Sequence, residues 1–231
     1  MKRRWTSAAA VAVALLVLPA IAVSQVTKTK DGYLMRIKWK KGDVFEYSMS
    51  TKSSGLPINF EMQYSLTVLD VKNKIAEVEM TMTSPMINEP TTLTVKMNDR
   101  GMADEETAAA MSMGNNQIGL QFPEKALKVG DSWDAEQPLP QSEMEGMQMK
   151  MKTTYTFEGL EIVNKVPCAK FTVDTLVEMS GAMVMTVKGN GVIYIENKTG
   201  QLYQSSIETT TEIDLDGTPM KVLSTTEIKR K

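Results

Sequence analysis

Residues 59–68 read NFEMQYSLTV, and their order decides the fold class. Phe60, Met62, Tyr64, Leu66 and Val68 take every second position, with Asn59, Glu61, Gln63, Ser65 and Thr67 between them. A period of two puts oily side chains on one flank of a strand and polar ones on the other, the habit of antiparallel sheets with one wet face. The same beat runs outward in both directions. Tyr33, Met35, Ile37 and Trp39 alternate with Leu34, Arg36 and Lys38 in a first strand, and Phe45, Tyr47 and Met49 follow the turn Lys41-Gly42-Asp43. Ala76, Val78, Met80 and Met82 alternate with Glu77, Glu79, Thr81 and Thr83. Threonine is abundant, and its branched Cβ suits a pleated surface.

Turn chemistry punctuates these runs. Asp216-Gly217 stands between Thr209–Leu215 and Met220–Lys229, and Asp-Gly supplies the positive φ angles of a tight hairpin. Asn98-Asp99-Arg100-Gly101 and Asn197-Lys198-Thr199-Gly200 read as two matched loops. The match extends further. Lys41-Gly42-Asp43-Val44-Phe45 parallels Gly130-Asp131-Ser132-Trp133, and Tyr64 to Lys74 parallels Tyr155 to Lys165, both ending in Asn-Lys. The order of features predicts a diverged duplication: a first repeat over about 33–102 and a second over about 128–229, with a connector at 103–127. Asp104-Glu105-Glu106 opens an alanine-rich run over 107–113 that Gly114 stops, the pattern of one connecting helix. The expected fold is mainly β, two related antiparallel halves forming a curved sheet or open barrel, with that one α-helix between them.

The N-terminus carries an export signal. Lys2, Arg3 and Arg4 precede an apolar stretch from Ala8 to Leu18, Pro19 interrupts it, and small residues follow. The stretch falls short of the roughly 20 residues a spanning helix needs, so the protein has no membrane span once the signal is removed. Cleavage after Ser24 leaves a single β-rich domain over 25–231, in the periplasm or outside the cell. No Cys lies near the cleavage point, which disfavours a lipid anchor. Loss of the three basic residues leaves 23 Lys+Arg against 28 Asp+Glu, a net of −5, so the charge offers no basic face for nucleic acid. Cys168 is the sole cysteine, which excludes an internal disulfide; it reads as a plain unpaired thiol.

The chain has no histidine. That removes Ser-His-acid and Cys-His catalysis and imidazole zinc sites. No Gly-rich phosphate loop follows a strand, and no cofactor is implied. Carboxylate pairs remain, but Glu77 with Glu79 and Glu208 with Glu212 alternate with apolar residues as a solvated sheet face would. Asp43 and Asp131 each follow a turn glycine, where Asp ordinarily accepts backbone hydrogen bonds. Asp214-x-Asp216-Gly217 is a fragment of a calcium loop without the remaining ligand spacing. Asn197-Lys198-Thr199 fits a glycosylation sequon and is also accounted for by its turn.

Methionine is the compositional anomaly, with 19 residues and Met144, Met147, Met149 and Met151 crowded together. Thioethers are soft ligands for Cu(I) or Ag(I). They are also adaptable core fillers, and Met147, Met149 and Met151 run in register with Thr153, Tyr155 and Phe157 on one strand face. Aligning Tyr64 with Tyr155 sets Met151 against Phe60.

A curved antiparallel sheet with a small helical lid resembles the periplasmic lipoprotein-carrier architecture. The repeated Gly-Asp-x-aromatic and Asn-x-x-Gly elements resemble uncharacterised exported bacterial β-rich families, domains of unknown function. The resemblance covers most of Tyr33–Lys229; it implies an apolar ligand or hydrophobic protein partner on the concave side and carries over no catalytic residue. The function read from the sequence is an exported, non-enzymatic protein binding such a ligand or partner. A carboxylate-dependent hydrolase is the alternative, and a methionine-rich Cu(I)/Ag(I) protein the second.

Overall fold

An alternating strand leaves its backbone donors and acceptors in need of neighbours, and here the chain supplies them nearly in sequence order. The computed structural model describes residues 25–54, 59–85, 89–104, 120–138, 148–180, 184–198, 200, 202–215 and 218–231. The export signal expected at 1–24 and the helix expected over 107–113 lie outside the described residues. Among those described there is no helix, and the strands are β1 Gln25–Thr29, β2 Gly32–Arg36, β3 Val44–Ser54, β4 Asn59–Lys72, β5 Ile75–Thr83, β6 Thr91–Met97, β7 Ser132–Pro138, β8 Gln148–Val163, β9 Val166–Ser180, β10 Val184–Glu196, β11 Leu202–Leu215 and β12 Thr218–Arg230.

Ten strands make one antiparallel sheet in the order β6-β5-β4-β3-β12-β11-β10-β9-β8-β7, and β1 and β2 make a separate pair. The chain enters the large sheet at its middle with β3 and steps out to the edge strand β6. It then crosses to the far edge at β7 and steps back until β12 pairs with β3, from Leu223↔Ser54 to Arg230↔Tyr47. No ladder joins β6 to β7, so the sheet stays open and no barrel closes. The strands flanking 216–217 pair antiparallel up to Leu215↔Thr218, as the hairpin expectation requires; the turn residues themselves lie outside the described residues.

The matched sequence elements take matched geometry. Gly42 N donates to Val68 O at 2.9 Å, Asp43 N to Lys40 O at 3.1 Å and Val68 N to Asp43 O at 2.9 Å. Gly130 N donates to Phe157 O at 2.8 Å, Asp131 N to Lys128 O at 3.0 Å and Phe157 N to Asp131 O at 2.9 Å. Both ladders slip immediately afterwards, between Val68 and Asp70 and between Phe157 and Gly159. Both hairpins then turn on Asn-Lys pairs with positive φ, Asn73-Lys74 and Asn164-Lys165, the geometry of a two-residue turn that follows the strand twist. This corrects the sequence alignment. Asn73 follows Val68 by five positions and Asn164 follows Phe157 by seven, so matching the turns, or the tyrosines, displaces the strands by one period. By hydrogen bonds Met151 corresponds to Met62, not Phe60. A two-residue slip keeps every side chain on its face, which is why alternation alone does not reveal it.

A second correction concerns the first strand. Tyr33 to Trp39 reads in the sequence as one strand of the sheet, but β2 ends at Arg36 and pairs only with β1. Beyond it, Ile37 N donates to Asp99 O at 2.6 Å and Trp39 Nε1 to Asn98 O at 3.2 Å. The backbone past Arg36 is committed to the loop after β6. Met35, Ile37 and Trp39 are buried all the same, in one cluster with residues from β3 to β12. Tyr33 and Leu127 exchange both backbone bonds at 2.8 Å, and Phe122 N donates to Arg100 O at 3.1 Å. Trp133 of β7 reaches the same segment, Nε1 to Gln121 O at 2.7 Å. Residues from both edge strands, Val95 and Met97 of β6 and Ala135 of β7, therefore share one core. The sheet curls around β2 and residues 120–127.

Gly191 shows how tight the curl is. A Cβ there would overlap Ser206 O and come within 2.7 Å of Ile207 Cα, both backbone atoms of the neighbouring strand. Gly191→Ala is expected to cost about 1–3 kcal/mol, the range for overpacking a tight site. Gly42 has φ +86, and a Cβ added there would meet no atom within 4 Å. Gly42→Ala should therefore cost on the order of 1–2 kcal/mol, from left-handed strain alone. Urea unfolding of each variant measures both, and a wild-type midpoint for Gly191→Ala would contradict the close approach.

Candidate functional site

The inner face of the sheet, the one bearing the core, changes character along its strands. Toward the β2 end it is aromatic: Trp133 stacks on Tyr155 at 5.4 Å, and Phe171 meets Phe157 at 5.4 Å and Trp133 edge-on at 5.9 Å. Further along, a cross-strand row of small side chains follows. Ala135 faces Thr153, which faces Thr175, and the row continues through Gly189, Thr209 and Ser224 to Ser53, crossing seven strands. Beyond it lies a second apolar cluster, Val177, Met185, Val187 and Ile213, with Met151, Met179 and Met220 packed half-buried against it.

Hydroxyls on this face are mostly paired with each other. Ser53 and Ser224 lie 2.8 Å apart, Thr51 and Thr226 2.9 Å, and Thr153 and Thr175 3.2 Å. Thr211 Oγ1, on a residue 0% exposed, Ser205 Oγ and the phenols of Tyr47 and Tyr64 are buried without a hydrogen-bond partner. Thr211 stands between Val187 and Val222, one row beyond the small residues. An unmade buried hydrogen bond costs about 1–3 kcal/mol, so Thr211 presents an unmet polar group in apolar surroundings.

Of the thioethers singled out from the sequence, Met144 and Met147 lie outside the described residues. Met149 holds the ladder position opposite Met179, and Met151 that opposite Val177. Among the described residues, Met151 keeps company with Met179, Met185 and Met220 from three other strands. The ladder is what brings them together.

The carboxylates occupy the other face. Glu208 and Glu212 are exposed, and Glu212 lies 3.7 Å from Lys221. Glu77 and Glu79 point away from buried Ala76 and Val78. Asp43 begins the central strand β3 and Asp131 the edge strand β7, so the two form no shared site. Asp131 instead accepts from Lys128 N at 2.7 Å. Glu61 and Glu227 do flank Ser50 in an outward groove of about 510 Å³. There the Lys229 amine, 2.8 Å from Glu227, holds that carboxyl below its ordinary range, the opposite of what a catalytic acid requires. Cys168 is fully buried, and burial, helped by the nearby Glu196 carboxylate, pushes its thiol up to about 11. Such a thiol is unreactive at neutral pH.

No protein-family description matches this chain, and no curated protein matches it. Solved structures similar to it include the hypothetical lipoprotein YmcC from Escherichia coli K12, at 11% identity over 78% of this chain and 85% of that one, with a TM-score of 0.28. Another is a conserved protein of unknown function with a hot dog fold from Alicyclobacillus acidocaldarius, at 9% identity over 89% and 95%, with a TM-score of 0.17. Likenesses this slight leave the site to be read from its own residues.

Three buried phenols give the fold a measurable pH dependence. Burial raises Tyr47, Tyr64 and Tyr155 well above the ordinary phenol range; for Tyr64 the stacked Tyr47 ring, 4.9 Å away, adds to it. The folded state therefore holds these protons when the unfolded chain releases them. Stability is full below about pH 10 and falls as pH rises past it, by about 1.4 kcal/mol per pH unit for each phenol. The hydroxyls of Tyr47 and Tyr64 have no partner, so Tyr64→Phe is expected to leave neutral stability unchanged or higher and to flatten the alkaline loss. Urea unfolding from pH 8 to 11 checks this; an unchanged slope in Tyr64→Phe would contradict it.

Proposed function

We propose that the chain is an exported, non-enzymatic binding protein, built from a duplicated antiparallel unit, that holds an amphipathic apolar ligand against the inner face of its large sheet. One observation carries this reading: a row of small residues crosses seven strands between two apolar clusters, with the unpartnered Thr211 hydroxyl beside it. Ligand sites are mostly apolar surfaces with a few placed polar groups that fix orientation. Ala135, Gly189 and the hydroxyl residues part the two apolar clusters with small side chains, and the flanking valines and methionines receive an acyl-like tail. Thr211, fully covered with its hydroxyl unmet, supplies a hydrogen bond to a hydroxyl, amide or ester of the head once the tail parts the side chains over it.

Chemistry weighs on the same side. With no histidine in the chain, a buried unreactive thiol, and outward carboxylates that meet lysines, the described residues offer a surface for holding a molecule and little for transforming one.

Saturable binding of a fluorescent fatty-acid analogue by the chain without residues 1–24 tests the proposal. Thr175, half-buried in the middle of the row, is the position to fill. Thr175→Phe is expected to weaken binding by about tenfold, roughly 1.4 kcal/mol, while the outward substitution Glu208→Gln leaves it unchanged. Absence of saturable binding, or wild-type binding by Thr175→Phe, would overturn it.

A further inference from the structure

The far end of the inner face carries an arrangement that ligand binding does not require. Met149, Met179 and Met185 are successive cross-strand partners on β8, β9 and β10, and the row continues through Ile213 to Met220 on β12. Met151 stands one period along β8 from Met149. Met185 is 2% exposed, whereas Met151, Met179 and Met220 are half-buried around it. The buried members of this cluster other than Met185 are Val177, Val187 and Ile213; every half-buried apolar member is a methionine. Apolar packing alone would be met by Leu at those rim positions, and the rim consistently uses the one apolar side chain with a donor atom.

Two of the strands that bear the row are longer than their counterparts in the first half of the chain. β9 has 15 residues where its counterpart β5 has 9, and β10 has 13 where β6 has 7. Met179 and Met185 sit on those extensions, outside the main core and in a cluster of their own. Directly opposed residues on one face of an antiparallel pair have Cβ atoms about 4.5–5.5 Å apart, and a methionine side chain spans that gap with rotatable bonds to spare. Thioethers from adjacent strands can therefore converge on one point. A depression of about 410 Å³ on the outward face at this end, lined by Val184, Thr186, Glu212, Asp214 and Lys221, reaches Ile213 and Met220 of the cluster.

We propose that Met151, Met179, Met185 and Met220 bind a soft monovalent cation, Cu(I) or Ag(I). Thioether sulfur selects these ions over harder divalent ones, and the site needs neither imidazole nor thiolate. It requires no occupant in the row of small residues, so it stands or falls apart from the lipid-binding reading.

Anaerobic titration of the chain lacking residues 1–24 with Cu(I), in competition with a chromogenic chelator, reads the site directly and should show stoichiometric uptake. Met179→Leu combined with Met185→Leu keeps apolar volume and tolerates the core while removing two sulfurs. It should weaken uptake by more than the roughly tenfold that losing even an outer-shell partner costs. Carbon-13 methyl spectra of methionine-labelled wild type with added Ag(I) give a readout that depends on no variant: the Met151, Met179 and Met185 methyls should shift. Absence of uptake by wild type, uptake unchanged in the double variant, or shifts confined to other methionines would each overturn the proposal.

Discussion

Tyr33 and Leu127 exchange a pair of backbone hydrogen bonds at 2.8 Å, and the architecture rests on what that pair holds in place. An open sheet of ten strands has an apolar face that must be covered, and no closing ladder covers it here. The chain instead lays β2 and residues 120–127 along the inside. The loop after β6 and the side chain of Trp133 on β7 both bond to that inner segment. Arg36 fastens it as well, donating to the carbonyls of Pro123 at 2.8 Å and Glu124 at 2.6 Å. The edges of the sheet are thus drawn to a common spine, and the aromatic core forms around it.

That arrangement sets up the rest of the inner face. Filling one end with an internal segment leaves the other end of the long strands to other side chains, and there the face turns to small hydroxyl residues and then to methionine and valine. β5 and β6 are shorter than β9 and β10 and stop short of this region; the surface proposed for a ligand or a soft ion lies on the longer strands.

Much of the sheet was legible in the sequence because alternation reports a dry flank directly. β3, β4 and β5 follow from it, and the paired Gly-Asp turns from their turn chemistry; the Asn-Lys pairs were legible as matched elements but not as hairpin turns. Alternation does not report which partner keeps the flank dry. Tyr33, Met35, Ile37 and Trp39 alternate as a sheet strand would, yet they are the spine the sheet wraps. The pairing of β12 with β3 joins residues as distant as Thr51 and Thr226, and nothing local specifies it. The site was less visible still. Thr209, Thr210 and Thr211 offer no hydrophobic contrast to mark two of them as inward-facing, and the methionines that gather in space come from four strands, so crowding along the chain pointed to Met144, Met147, Met149 and Met151 and reached only Met151 of the cluster described. Register, not proximity in sequence, assembles both features.

The curl around the spine is the central claim, and a distance across the sheet tests it most directly. Spin labels at Lys96 on β6 and Asp134 on β7, introduced as cysteines in a Cys168→Ser background, report the separation of the two edges by double electron–electron resonance. A flat sheet would put these strands nine spacings apart, roughly 43 Å at about 4.8 Å each. A narrow distribution far below that span is the expected result. One centred at the flat-sheet distance would contradict the shared core, and the inner face built upon it.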